Sequence, residues 1–515
     1  MLFMKIPFLL KLFKEILLEK NYPEISLALK GSKANLKSVL FILLYAFNNS
    51  DKFIFADKNK NLTIALNLKS LVNENKGNSS SYSLDEEENN LKLLEKCLEL
   101  LKKRNSVKEN SYGIEKYFSK ILPPDLMPLS FDYFKSEHKK ITFKPKALIL
   151  LKGKKLYLSS AFSLLNFLNH ENLHKILMFF YEYLSKDLSL LDKHKLITNF
   201  YNSLFFSKLD FNENKETLTP QINDWANLIN SFKSANFEKV VLARTLKYSF
   251  EGGDDNKVHN VNESSSINFN GITPKLIDSF LGNKNFKSYL YIYEKNTFLS
   301  SGKDNLKTFS PEIFVSLTPE TLIKFTKNKF FSEALAGSFN VSDAHFLLKD
   351  KKNLLENNVV LKSIIDDLTP FSQKIAYDET KIITLPYIAH LITKIKGRFK
   401  NKVDIFEVLH KLQPTPATLG YPKEKALEFI KTNSHALEVF KETPQNLNYY
   451  AGIAGFYSKK QKTGKFIVLL RSGNILKDSI SLYGGAGIMP ISNSNQEWQE
   501  TAQKMKPMMT EFFNL

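Results

Sequence analysis

The stretch EKVVLARTLKYSF, residues 238–250, decides how the rest of the chain is read. It is nearly all apolar, and its pattern predicts a β-strand over 239–249. Alternation along that strand puts Lys239, Val241, Ala243 and Thr245 on one face and Val240, Leu242 and Arg244 on the other. A lysine opening such a strand is either a solvated strand end or an amine held in a dry site for proton chemistry.

Working outward, further strands are expected at 288–299, 312–317, 321–326, 465–472 and 478–483, and helices at 220–236, 343–367, 384–397, 422–431 and 495–505. Strands in pairs followed by helices indicate an α+β protein with large, mainly antiparallel sheets. The first 200 residues mix amphipathic helices (91–103 and 171–189) with strand-like runs such as ITFKPKALILLKGKKLYLSS, and carry no cluster that suggests chemistry. Two polar stretches, 73–90 and 251–271, read as surface loops, and no internal repeat is found.

Composition narrows the function. A chain of 515 residues with 43% hydrophobic and 13% aromatic content can bury a large core. The net charge of +19 invites a polyanion partner, yet only Arg104, Arg244, Arg398 and Arg471 among the 72 basic residues are arginine. Readers of phosphate and guanine rely on arginine's two-pronged fork, so the lysine excess is read as compositional background and no nucleic-acid partner is expected. Cys97 is the only cysteine, which excludes an intramolecular disulfide and a thiolate zinc cluster. The first 20 residues read as an amphipathic helix, and the longest apolar run, VLFILLYAF at 39–47, is too short to span a bilayer. A cytoplasmic protein without stable membrane insertion, monomeric or homodimeric, is the expectation.

Several segments hold residues suited to chemistry. In SNSNQEWQETAQKMKPMM (492–509), Ser494 and Glu497 have capping-box spacing, and Glu497, Glu500 and Lys504 share one helix face. Upstream, SISLYGGAGIMP (479–490) reads as a strand entering a Gly-rich turn, and SEALAGSFN (332–340) contains a small Ala336–Gly337–Ser338 turn. Such turns let an anion approach backbone N–H groups. The helix at 343–367 is expected to bury Leu347, Leu354, Leu355, Val359 and Ile364 or their neighbours, with Glu356 flanking the stripe and Lys352 one turn earlier. Two similar tripeptides, Ser310–Pro311–Glu312 and Thr318–Pro319–Glu320, compete for one role, and Arg471 follows a run of five apolar residues, where it must find an anion or reach solvent.

Taken in order, KVVLAR (239–244), FVSLTPETL (314–322), SEALAGS (332–338), KKNLLENNVV (351–360), YIAHLITKIKG (387–397), LQPTPATLGYPKE (412–424), YYAGIAGFY (449–457), VLLRSGNI (468–475), LYGGAGI (482–488) and EWQETAQK (497–504) resemble the chorismate-binding enzymes, and most of all their menaquinone-type isochorismate synthases. The resemblance covers about 300 residues. It implies two large, mainly antiparallel β-sheets packed together and flanked by helices, with 218–512 as the catalytic region and 1–217 as a divergent part integrated into the same fold. It also implies that Lys239 activates water for attack at ring carbon C2 of chorismate and that Glu320 protonates the departing C4 hydroxyl. Glu356 and Glu500, with Glu497 beside them, would hold Mg²⁺. Gly337, Ser338, His390, Gln413, Tyr450, Arg471, Gly485, Ala486 and Lys504 would bind substrate. Glu320 is preferred over Glu312 because Phe314 and the 13-residue step to Glu333 suit the family pattern.

Family variation sharpens the reaction. Ammonia-using relatives carry glutamine where Lys239 stands, and those making aminodeoxychorismate carry a nucleophilic lysine where Ala336 stands, so a water-adding enzyme is expected. A salicylate synthase, which goes on to eliminate pyruvate, is the near alternative; a non-catalytic basic binding protein is the distant one.

Overall fold

Tyr289, Tyr291 and Tyr293 of the strand Tyr289–Ser300 share one face, and Leu290 and Ile292 the other. The neighbouring strand Lys307–Thr318 repeats the division, with Phe314 beside the tyrosines and Ile313, Val315 and Leu317 beside the aliphatic residues. Strands apolar on both faces must be covered on both. In the computed structural model, the aromatic face meets a second sheet and the aliphatic face meets helices. The structure describes residues 214–250, 269–283, 287–300, 307–433, 449–459, 461–476 and 479–513, with Leu437, and shorter stretches of the first 213 residues.

Among the described residues the larger sheet has 13 strands. It runs from Gly420–Tyr421 through Lys239–Phe250, Ser479–Ile488, Ser472–Ile475, Lys307–Thr318 and Tyr289–Ser300 to Ser50–Ala56 and further strands of the first 160 residues. The smaller sheet has nine, centred on Ala389–Phe399, Lys329–Phe339, Thr321–Thr326, Thr463–Val468 and Ile453–Ser458, and continues into Leu126–Phe131. Neighbouring strands run antiparallel. This is the α+β sandwich expected from the sequence. Helices Lys33–Ala46, His170–Ser185, Phe269–Gly282 and Ser494–Phe513 cover the larger sheet's aliphatic face. Helices Lys351–Leu368 and Ile405–Leu412 cover the smaller sheet through Val360, Ile364, Val408 and Leu412.

The chain passes from one sheet to the other at two adjacent places. Pro319–Glu320 links Lys307–Thr318 of the larger sheet to Thr321–Thr326 of the smaller, and Leu469–Arg471 links Thr463–Val468 to Ser472–Ile475 in the opposite sense. The crossings are tied together: the Leu317 N–H donates to the Arg471 carbonyl (3.0 Å), the Val468 N–H to the Glu320 carbonyl (3.3 Å), and the Ser316 hydroxyl to the Leu470 carbonyl (2.6 Å).

Several local expectations are corrected. The segment expected as a helix at 384–397 is largely the central strand Ala389–Phe399, because alternation in HLITKIKGRF serves pairing with strands on both sides. The run 465–472 is interrupted by the second crossing, where Arg471 adopts φ 49°. Neither Gly-rich segment is a turn: Gly484–Gly487 lies within Ser479–Ile488, and Ala336–Gly337–Ser338 is a bulge in Lys329–Phe339. The helix expected from 343 starts at Lys351, where the Asp350 side chain accepts the Asn353 N–H, and its buried stripe includes Glu356 itself while Leu355 is exposed. Most of 1–20, 73–83 and 251–268 lies outside the described residues, and the remainder of the two stretches expected as loops, 73–90 and 251–271, is helical: 84–90 opens the helix Leu84–Arg104 and 269–271 opens Phe269–Gly282. Among those described, no helix is long and apolar enough to cross a membrane.

Candidate active site

Lys239 begins its strand between Gly420–Tyr421 on one side and Ser479–Ile488 on the other, and is completely buried. It is not a solvated strand end. Its ammonium lies 3.0 Å from Glu356 Oε1. Gly487 makes that contact possible, since a Cβ there would fall 2.1 Å from Glu356 Oε1 and 2.7 Å from Lys239 Cε. Burial pulls the lysine's pKa down, and Lys352 and Lys504 add repulsion; Glu356 opposes both without overcoming them. Glu356 divides its charge, because Lys352 takes Oε2 at 3.1 Å. Burial alone would raise the Glu356 pKa, but Lys239, Lys352 and Lys504 bring it down to about 2.

Glu320, at the first crossing, is also buried, and burial raises its carboxyl to about 8, with Glu333 adding to the rise and Lys239, Lys504 and Arg471 restraining it. Glu333 accepts the Thr321 N–H at 2.9 Å from behind and so fixes the backbone next to the acid. Arg471, at the second crossing, is brought down to about 10 by burial. Its guanidinium contacts His390 Nε2, which must accept because arginine only donates. The imidazole proton therefore sits on Nδ1, facing Ser338 Oγ at 3.0 Å and the Gly337 carbonyl at 3.4 Å. Burial and the Arg471 charge keep His390 neutral by lowering its pKa.

A narrow cavity of about 60 Å³ is walled by Val241, Glu320, Gly337, Ser338, Glu356, His390, Tyr450, Arg471, Gly485 and Lys504 among others, with Lys239 in contact with Glu356 of that wall. A Cβ on Gly485 would fall 2.2 Å from the Tyr450 hydroxyl. Lys504 donates to the Gly485 carbonyl (2.9 Å) and pairs with Glu500 (2.6 Å), so the proposed helix-face arrangement is present. Ser338 N–H is taken by Asn353 Oδ1 at 2.9 Å, with Gly337 at φ 81° packed onto the Asn353 backbone. Gln413 and Ala486 stand behind the wall: Gln413 Nε2 donates to the Ala451 carbonyl (2.8 Å), and Ala486 packs beside Trp225 and Val240. Glu312 lies mid-strand opposite Lys295.

Glu497 and Glu500 line an adjoining cleft of about 720 Å³ that shares Ser338 with the cavity. Lys352 stands between Glu356 and Glu497, 3.0 Å from Glu497 Oε1. Among the described residues no three acidic, histidine or cysteine groups converge as a formed metal centre. The donors nonetheless suit a hard cation: all are carboxylates, and buried Glu497 Oε2 has no hydrogen-bond partner among the described residues. Sequence reading passed over Lys352 as a bridge, His390 as a support for Arg471, and Glu333 as more than a spacing mark. Only the first had a local signal, its i, i+4 spacing to Glu356.

Residues 306–512 match the family described as chorismate binding enzyme. Over other spans the chain is similar to isochorismate synthases. It is 29% identical over 301 residues to isochorismate synthase MenF of Bacillus subtilis, covering 56% of this chain and 55% of that one. To isochorismate synthase MenF of Escherichia coli it is 33% identical over 205 residues, covering 38% and 45%. It thus spans about half the length of the curated relatives it matches. In fold it is similar to the menaquinone-specific isochorismate synthase MenF from Escherichia coli, with a TM-score of 0.60 at 20% identity over 98% of each chain.

Proposed function

We propose that the protein is an isochorismate synthase, an isomerase that converts chorismate to isochorismate for menaquinone biosynthesis. The observation that supports this most is the pair Lys239 and Glu320: both are buried, Glu320 in the cavity wall and Lys239 in contact with that wall's Glu356 at 3.0 Å, one with its pKa lowered and the other raised to about 8. Opposite shifts of this kind separate a base from an acid at one pH.

In this reading, neutral Lys239 takes a proton from water as the water oxygen bonds to ring carbon C2. The ring double bonds shift, the C4–O bond breaks, and the departing hydroxyl takes its proton from Glu320. Water enters at C2 and leaves at C4, so the net reaction is an isomerisation. Arg471 and Lys504 supply positive charge for the substrate's two carboxylates, and neutral His390 aims Arg471 without adding charge. The residues that would hold Mg²⁺ are Glu356, Glu497 and Glu500; bound there, the ion would neutralise the ring carboxylate. A cavity of about 60 Å³ is too small for such a ring, so side chains must move aside on binding.

The test is incubation of purified protein with chorismate and Mg²⁺, with and without chelator, followed by chromatography of the products. Isochorismate is expected from wild type and neither Lys239→Ala nor Glu320→Gln should make it. Salicylate with pyruvate would move the assignment to a salicylate synthase, and untouched chorismate would overturn it.

A further inference from the structure

A second, larger cavity of about 1030 Å³ opens on the far side of the first crossing. The Asp57–Asn61 turn, the end of the helix Phe269–Gly282 and the start of the strand Tyr289–Ser300 form one side. The hairpin of Thr321–Thr326 with Lys329–Phe339 and the strand Ala389–Phe399 form the other. Its size falls in the range of ligand pockets, and the catalytic reading makes no use of it.

Six of its 18 described lining residues are lysine: Lys58, Lys60, Lys287, Lys324, Lys329 and Lys394. That is a third of the described wall. Among the described residues, Lys287, Lys324, Lys329 and Lys394 form no salt bridge, and the wall's one carboxylate, Glu333, is engaged by the Thr321 N–H at 2.9 Å and Lys58 at 3.3 Å. Beside the cavity, Lys465 is paired with Asp57 at 3.3 Å and repelled by Lys324 and Lys58. Crowding of like charge against an open cavity is a standing attraction for an anion.

The cavity is not polar throughout. Tyr289, Phe325 and Phe330 are buried rings in its wall, and Lys58 lies 4.9 Å from the Tyr289 ring centre. The turn that carries Lys58 and Lys60 is fixed in advance, since Asp57 Oδ1 accepts the N–H groups of Asn59 (2.9 Å) and Asn61 (3.1 Å). Buried rings in the wall beside the exposed Lys287, Lys324, Lys329 and Lys394 match one kind of ligand: a flat apolar ring bearing several negative charges. We propose that this cavity is a binding site for a small aromatic polyanion, separate from the cavity walled by Glu320 and Glu356.

The probe is pyrenetetrasulfonate, titrated by fluorescence into the full chain at near-physiological salt, with inorganic pyrophosphate as the ring-free competitor. One-to-one saturable binding is expected. It should weaken about tenfold or more in Lys324→Ala/Lys394→Ala, which loses two of the attracting charges. Binding should hold in Lys374→Ala/Lys431→Ala, which removes the same charge from exposed positions elsewhere, and in Arg471→Ala. Pyrophosphate should compete only weakly. Absence of saturable binding, equal loss in both double variants, or loss in Arg471→Ala alone would each overturn the proposal. All four substituted lysines are exposed, so these variants are expected to fold.

Discussion

Toward Tyr291 and Phe314 the two sheets meet ring to ring; toward Lys239 and Glu320 they meet charge to charge. Both regions are buried to the same degree. In the first, Phe53, Tyr291, Phe314 and Tyr449 pack edge to face with centroids 5.0 to 6.1 Å apart, a geometry that adds to the hydrophobic gain. In the second, Lys239, Glu320, Glu356 and Arg471 are taken from water; the pKa values of Lys239, Glu320 and Arg471 record the cost, while the lysines around Glu356 outweigh it there. One region therefore stabilises the sandwich, and the other draws on that stability to keep reactive groups dry.

The contrast is broken most severely at Lys239. Lys239→Met should lower turnover about 10²- to 10⁴-fold, the usual worth of a positioned base, while denaturant midpoints stay level or rise. Glu356 retains Lys352 as partner, so no carboxylate is stranded. A large loss of stability instead would mean that the lysine is a structural ion pair. The opposite region should respond in the opposite way. Phe314→Ala should cost about 3–5 kcal/mol in urea unfolding, with the Michaelis constant for chorismate little changed.

Glu320 sharpens the comparison through pH. Unfolded, its carboxyl titrates near 4.5; folded, near 8. Between these values the folded protein keeps a proton that the unfolded chain releases, so wild-type stability falls as pH rises across that window. Glu320→Gln has no such loss. Its stability relative to wild type should grow from pH 4.5 to 8, by an amount on the order of a few kcal/mol, and then level off. Wild-type activity should decline above about pH 8 as the acid ionises. A difference in stability that is flat with pH would show that Glu320 is ionised in the folded state.

How much of this was legible in the sequence depended on the range of the forces involved. The strands at 239–250 and 289–300 were visible because alternation is local. Ala389–Phe399 was read as helix because its pairing partners, which decide the matter, lie 50 or more residues away in Lys329–Phe339 as well as nearby. Lys239, Glu320 and Glu356 were found through resemblance, but their arrangement was not, since the two crossings exist only once both sheets are built. Gly487 shows the limit well: in sequence it belongs to a Gly-rich turn, while in the structure it is the missing side chain that lets Glu356 reach Lys239. Gly487→Ala should therefore lower turnover about 10- to 100-fold by displacing that pair, with a smaller effect on folding.

The smallest effect concerns the start of the C-terminal helix. Capping-box spacing pointed to Ser494, with Glu497 reaching back to the backbone. The structure moves the cap one residue earlier: Asn493 Oδ1 accepts the N–H groups of Asn495 (3.0 Å) and Gln496 (3.2 Å). Glu497 is thereby released from capping, and its Oε1 accepts from Ser492 Oγ at 2.7 Å while facing Lys352. One position of cap thus separates a carboxylate that closes a helix end from one that belongs to the charged region. Asn493→Ala should cost about 1 kcal/mol in thermal or urea unfolding, and Ser494→Ala close to nothing. If the two costs were reversed, Glu497 would be a capping residue, and the charged region would lose one of the three carboxylates proposed to hold the metal.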